Sequence, residues 1–159
     1  MSGADIAACL RLADGHRVLI TVEVKYTDSF STMPVSWGRY QEHLTALGLD
    51  ETATAALVKA GCSQVLRQVM MTDSVRRRGL TSGAGAEGRV DAGMAVVLAR
   101  EDDRTAQRVA SVLSDAVGTT IPVRFWSHRE LLDQARRIDF LRSWAEEMSA
   151  RYLPTDRLS

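Results

Sequence analysis

The sequence predicts an α/β fold: a small mixed β-sheet, made of an antiparallel hairpin and a parallel βαβ unit, flanked by helices. Three observations lead there. Two alternating segments face each other across Ala13-Asp14-Gly15-His16, and Asp-Gly is a strong turn signal. The run from Gly93 to Ala99 is continuously apolar, which suits a strand covered on both faces. A helical pattern separates that run from a second strand-like segment, Ile121 to Trp126. Strand, helix and strand in that order close as a right-handed unit with parallel strands.

The first hairpin strand spans Ala4 to Leu12, with Ile6, Ala8, Leu10 and Leu12 on one side and Asp5, Ala7, Cys9 and Arg11 on the other. The second spans Arg17 to Tyr26, where Val18, Ile20, Val22 and Val24 oppose Leu19, Thr21, Glu23 and Lys25. The two aliphatic stripes are expected to share a face. That requires paired positions of equal parity and an odd number of loop residues, because a one-residue slip turns a stripe over. Asp5 then lies opposite Glu23 or Lys25, and all three side chains gather at the open end of the hairpin.

Thr27 to Trp37 is rich in Ser, Thr and Pro and reads as loop. A short helix is expected over Trp37 to Leu47, ended by Gly48. A second starts at an Asp50 N-cap and carries Leu57, Leu66, Val69 and Met70 to near Arg76. Residues 79–89 form a glycine-rich, flexible loop. Beyond the apolar strand, Glu101-Asp102-Asp103 favours a helix N-terminus through the dipole, and Gly118 closes that helix. Ser127-x-x-Glu130 is a capping box. It opens a last helix with Leu131, Ala135, Ile138, Leu141, Ala145, Met148 and Tyr152 on one side, stopped by Pro154.

Composition narrows the function classes. The 159 residues carry 20 Lys+Arg against 20 Asp+Glu, with 45% hydrophobic residues, as in one soluble domain of residues 1–159 that needs no disulfide or metal to fold. No apolar run approaches the ~20 residues of a membrane span. Two cysteines make no secreted-type framework, which points to a reducing cytoplasm. Zero net charge argues against a protein that coats nucleic acid non-specifically. Of the basic residues only Lys25 and Lys59 are lysine, so a lysine in a strand invites a question.

The chemistry gathers at Asp5 and at Glu23-Val24-Lys25. Two carboxylates a few ångströms apart repel unless a positive charge lies between them. A divalent ion supplies one, and Mg²⁺ prefers carboxylate oxygens and water. The Val24 carbonyl offers a further ligand, and Lys25 points to the face of Glu23. Read bare, the same residues also fit the polar face of an edge hairpin, with cross-strand pairs worth ~0.2–1 kcal/mol.

The joint pattern resembles the PD-(D/E)xK nuclease superfamily, whose domains are restriction-endonuclease-like. Val22-Glu23-Val24-Lys25-Tyr26-Thr27-Asp28-Ser29-Phe30 is similar to the I-E-x-K-Y-T-E-x-F stretch of an uncharacterised bacterial branch. Arg39-Tyr40 and Gln64-Val65-Leu66-Arg67-Gln68 fit the same branch more loosely. The resemblance implies that Asp5 and Glu23 are metal ligands with the Val24 carbonyl, that Lys25 is the catalytic lysine, and that the ion is Mg²⁺ or Mn²⁺. It implies phosphodiester hydrolysis, on DNA ahead of RNA. Ala4 stands where the family usually has a proline. A helix and a strand usually precede the hairpin, so the chain is expected to be a fragment, a minimal form, or a fold trimmed at its N-terminus. The alternative expectation is a catalytically silent module that binds a protein or nucleic acid, or a homodimerising subunit of a larger assembly.

Weaker candidates remain. Gln64, Arg67 and Gln68 lie on one or two adjacent faces of the long helix and are candidate substrate contacts, or simply a polar face. Arg76, Arg77 and Arg78 are candidate phosphate contacts, or cations offsetting a helix C-terminus. His16, His43 and His128 show no metal-ligand spacing. Cys9 and Cys62 read as small core residues. Trp126, Phe140 and Trp144 read as core, or in part as a dimer contact.

Overall fold

The hairpin forms as its parity requires. In the computed structural model, which describes residues 4–26, 29–31, 33–79 and 88–153, β1 (Ile6–Arg11) and β2 (Arg17–Val24) pair antiparallel from Ile6↔Val22 to Arg11↔Arg17. Five residues close the turn, where Leu12 N donates to His16 O at 2.8 Å and Gly15 takes φ 90°. An L side chain rarely adopts that backbone conformation. Extending the register by one step puts Asp5 opposite Glu23. β3 (Ala92–Ala99) lies parallel to β2, and β4 (Val123–Ser127) parallel to β3, so the sheet order is β1-β2-β3-β4. This is the expected mixed sheet.

The helices depart from expectation in two places. α1 (Trp37–Ala46) is as expected, but the long second helix is two helices, α2 (Glu51–Lys59) and α3 (Ser63–Arg78). The chain turns between them at Gly61, φ 79°, with Cys62 N reaching back to Leu57 O at 3.0 Å. α4 (Arg104–Val117) starts on the Asp103 side chain and ends at Gly118. The capping box of Ser127 and Glu130 is present, but its helix stops early. α5 (His128–Arg136) is followed by a 3₁₀ turn (Asp139–Leu141) and α6 (Arg142–Tyr152). The break comes at Ile138, whose backbone is extended and whose side chain is exposed. Pro154 lies outside the described residues, as do residues 80–87 of the expected flexible loop.

α3 and α4 cover one face of the sheet. The core there joins Val65, Leu66 and Val69 of α3 and Val109 and Leu113 of α4 to Ala95, Val97 and Val123 of the strands. The β2 residues on this face are Leu19, Thr21, Glu23 and then Lys25, all buried. The aliphatic stripe Val18, Ile20, Val22 and Val24 does share a face with Ile6, Ala8 and Leu10, but it is the opposite face. There Ile6 is 50% and Leu10 46% exposed. The more polar stripe is inside because α3 satisfies it. Gln68 Nε2 donates to Thr21 O at 2.8 Å, and the Thr21 and Thr72 hydroxyls meet at 2.7 Å. Buried polar groups are tolerated when so paired. Gly93 makes the close approach possible, since a Cβ there would lie 2.8 Å from Thr72 Cγ2.

A satellite core of Leu132, Ala135 and Ala145 joins α5 to α6. Three apolar expectations fail here and in β1: Phe140 and Trp144 are exposed, and Cys9 is exposed on the edge strand while Cys62 is buried. Their alternation and spacing are compatible with either face, so sequence alone could not assign them.

Candidate active site

The site is built on the end of β2, where the central strand leaves the sheet beneath the first turn of α3. Lys25 N donates to Leu98 O at 2.7 Å, which carries the parallel ladder one residue past β2 and holds the lysine on the Glu23 face. Glu23 and Lys25 are 2% and 6% exposed, and Lys25 Nζ lies 3.0 Å from Glu23 Oε1. An isolated charge at this depth is costly, whereas a paired and hydrogen-bonded one is tolerated.

Gln64 completes the pairing. Its Nε2 donates to Glu23 Oε1, and its Oε1 accepts from Lys25 Nζ at 3.1 Å and from Ser31 N at 2.8 Å. One amide therefore touches the acid, the base and the loop that follows them. Arg67, one turn on, donates to Met33 O at 2.6 Å and fastens the same loop. The Lys25 ammonium also stands 5.1 Å from the Phe30 ring centroid, a favourable cation–π distance.

Asp5 closes the other side. Its Oδ2 accepts from Val24 N at 2.8 Å. The N–H and C=O of a strand residue point to the same side, so the Val24 carbonyl is turned toward the edge that carries Asp5. Burial pushes the Glu23 carboxyl above its ordinary range; the hydrogen bond and charge of Lys25 oppose this, and the charge of Asp5 adds to it. Glu23 thus sits between a cation that stabilises its charge and an anion that does not. Asp5 Oδ1 and Glu23 Oε2 have no hydrogen-bond partner among the described residues. A hard cation taking carboxylate and carbonyl oxygens fits this donor set. Among the described residues no three His, Cys, Asp or Glu side chains converge.

The structure brings Asp5, Glu23, Val24, Lys25 and Gln64 together, keeps Arg67 beside them on the loop, and gives the remaining candidates other places. Gln68 is 3% exposed; its Nε2 donates to Thr21 O and Val96 O, anchoring α3 to the sheet, while its Oε1 is buried with no partner among the described residues. Arg76, Arg77 and Arg78 stand at the opposite end of α3, about 20 Å away at 1.5 Å of rise per residue. Ser31 is the contact that sequence reasoning did not single out. Nothing in a Ser/Thr/Pro loop marks which N–H will meet a helix glutamine. His128 lies beside the site at the end of β4. It stacks on Tyr26 with ring centroids 4.6 Å apart, and its Nε2 is buried with no partner among the described residues. Burial, and then the Arg100 charge, lower its pKa.

A family model described as the PD-(D/E)XK nuclease superfamily matches residues 1–154. No curated protein and no solved structure gives a significant match.

Proposed function

The chain belongs to the PD-(D/E)XK nuclease superfamily, and from that premise we propose that it is a metal-dependent phosphodiesterase acting on nucleic acid, DNA ahead of RNA. One observation carries the reading: a buried Glu23–Lys25 pair, bridged by Gln64, with the Asp5 carboxylate across the hairpin. An ordinary polar hairpin face would leave these side chains in water.

Asp5, Glu23 and the Val24 carbonyl would hold the divalent ion, Mg²⁺ or Mn²⁺. When bound, such an ion supplies Lewis acidity and offsets charge on the phosphoryl oxygens. In the hydrolysis a water oxygen bonds to phosphorus while the P–O bond to the leaving sugar oxygen breaks. Lys25 is placed to orient that water or to steady charge growing on the phosphoryl group. Gln64 positions both Glu23 and Lys25, so the acid and the ammonium keep a fixed separation. This preorganisation lowers the reorganisation needed during the reaction.

The experiment is cleavage of single- and double-stranded DNA in Mg²⁺, Mn²⁺ or EDTA, wild type beside Lys25→Ala. Cutting that needs the metal and is lost in the variant is expected. No cutting, or cutting that survives the substitution, overturns the reading.

A second reading has its own support. Lys25 and Gln64 already engage Glu23 Oε1 without an ion, and the apolar face of the hairpin is open at Ile6 and Leu10. A non-catalytic module that binds through that face, including to a second copy of itself, is compatible with both.

A further inference from the structure

We propose that the cleft at the C-terminal end of α3 is a phosphate site that grips a nucleic-acid strand away from the cleavage centre. The cleft holds about 490 Å³ and is lined by Arg76, Arg77, Arg78, Gly79, Gly88 and Arg89 together with Val90 and Asp91. It lies at the other end of α3 from Lys25, and no residue of the candidate active site enters it.

Two of its arginines, Arg76 and Arg77, are held in place. Asp73 is 1% exposed and holds both, with Arg76 Nη2 at 2.8 Å from Oδ1 and Arg77 Nε at 2.7 Å from Oδ2. Such anchoring fixes two guanidinium forks before a ligand arrives, so less side-chain freedom is lost on binding. Arg76 Nε is buried and has no hydrogen-bond partner among the described residues. An unmet buried donor calls for an acceptor. Among the described residues, Asp73, Asp91 and the Glu42 carboxylate beside Arg78 do not balance Arg76, Arg77, Arg78 and Arg89, so the described lining carries net positive charge. Arg78 leans on Glu42 only at 3.5 Å in an exposed pair, and Arg89 is 88% exposed. The helix dipole favours cations here, but it does not require four arginines around one hollow. Two glycines line it. Gly88 takes φ 138°, and a Cβ there would lie 2.5 Å from Arg17 Nη1; a Cβ on Gly79 would lie 3.1 Å from Gly88 O.

Planar, rigid guanidiniums in a polar hollow match phosphate oxygens, which they bind in bidentate fashion. The separation from the catalytic end gives the length of strand involved. About 20 Å along α3 corresponds to about six steps at 3.4 Å per nucleotide along one strand of a duplex. A strand held in both places therefore spans about seven nucleotides. The phosphate site stands without the nuclease reading; only this length rule rests on it.

Two measurements test the proposal. Inorganic phosphate is titrated into the full chain while the arginine Nε–H resonances are followed, in wild type and in Arg78→Gln/Arg89→Gln. Neither substituted side chain bonds to Asp73, so the fold is kept. Saturable shifts in the wild type, weakened about tenfold in the variant, are expected. Hairpin-closed DNA duplexes of about 5 and about 14 base pairs are then bound in EDTA across a salt series. The variant should lose about tenfold in affinity on the longer duplex, with its salt slope reduced by about 1–2, and nothing on the shorter, since each released phosphate contact contributes about 0.9 to the slope. Phosphate binding that fails in the wild type overturns the site. Phosphate binding that depends on the arginines, with unchanged binding of the longer duplex, overturns the strand grip and leaves a site for free phosphate. DNA cleavage that is intact in the variant on both lengths also overturns the grip, while the nuclease reading stands. Length-dependent binding with no cleavage in any metal supports the grip and overturns the nuclease reading instead.

Discussion

Replacing Lys25 by methionine keeps the buried stem and removes the ammonium. The Nζ lies 3.0 Å from Glu23 Oε1, with the two side chains only 7% and 3% exposed. At an effective dielectric constant of ~20, unit charges at that distance attract by about 5 kcal/mol. Removing one partner of such a pair costs about 3–5 kcal/mol, because the other charge stays buried. Here the survivor is Glu23, and Asp5 repels it. Burial already holds the Glu23 carboxyl above its ordinary value, and Lys25 is the main influence pulling it back down. Without Lys25 it rises further. The folded state then prefers the protonated acid more than the unfolded chain does. Stability is retained below the ordinary carboxyl range and lost as pH climbs through the raised value. The gap between wild type and Lys25→Met should therefore be small near the ordinary value of 4.5 and reach about 3–5 kcal/mol by about pH 8. Urea unfolding at both pH values measures it. A gap that is equal at the two, or larger in acid, refutes an ionised Glu23 paired with Lys25.

Asp5→Asn should cost the metal-free protein less than about 1 kcal/mol, since an amide oxygen can still accept from Val24 N and a repulsion is relieved. It should abolish stabilisation by Mg²⁺ or Mn²⁺ in thermal unfolding; equal losses with and without metal would sink the shared-ligand reading. Gly93→Ala forces a methyl against Thr72 and Ile121 and should destabilise by about 1–3 kcal/mol, seen as a lowered urea midpoint. The folded His128 imidazole resists protonation, so its share of stability is present above the ordinary histidine range and falls away as pH drops through it. His128→Gln should flatten the loss of stability between about pH 7 and about pH 5; an unchanged slope would contradict this.

Local rules carried the sequence reading where one residue type dominates a position. The hairpin parity, the Asp50 and Ser127 caps, the Gly118 stop and the parallel pairing of β3 with β4 were all legible. The breaks at Gly61 and Ile138 were not, because apolar spacing runs through both and only tertiary packing decides where a helix stops. Which face of β2 goes inside was also hidden. Four aliphatic residues mark one stripe, yet the helices cover Thr21, Glu23 and Lys25. The reason is non-local: Gln68, Thr72 and Gln64 come from α3, and no rule of spacing ties them to β2. Asp5, Glu23 and Lys25 could be named because short-range strand geometry assembles them. The bridging role of Gln64 required the fold.

Among the described residues β1 pairs with β2 alone, and nearly all of its residues are exposed, whereas β2 is flanked by strands on both sides and roofed by α3. Asp5 sits just before the first and Glu23 and Lys25 on or just past the second, so the two carboxylates belong to units that open at different free energies. Peeling of β1 takes the pair apart while the core of α3, α4 and β3 stays folded. Backbone amide exchange would then report two populations: slow sites in β2 and β3, and faster ones along β1. A cation captured between Asp5 and Glu23 would slow the second class toward the first, which makes the edge strand a readout of occupancy separate from catalysis.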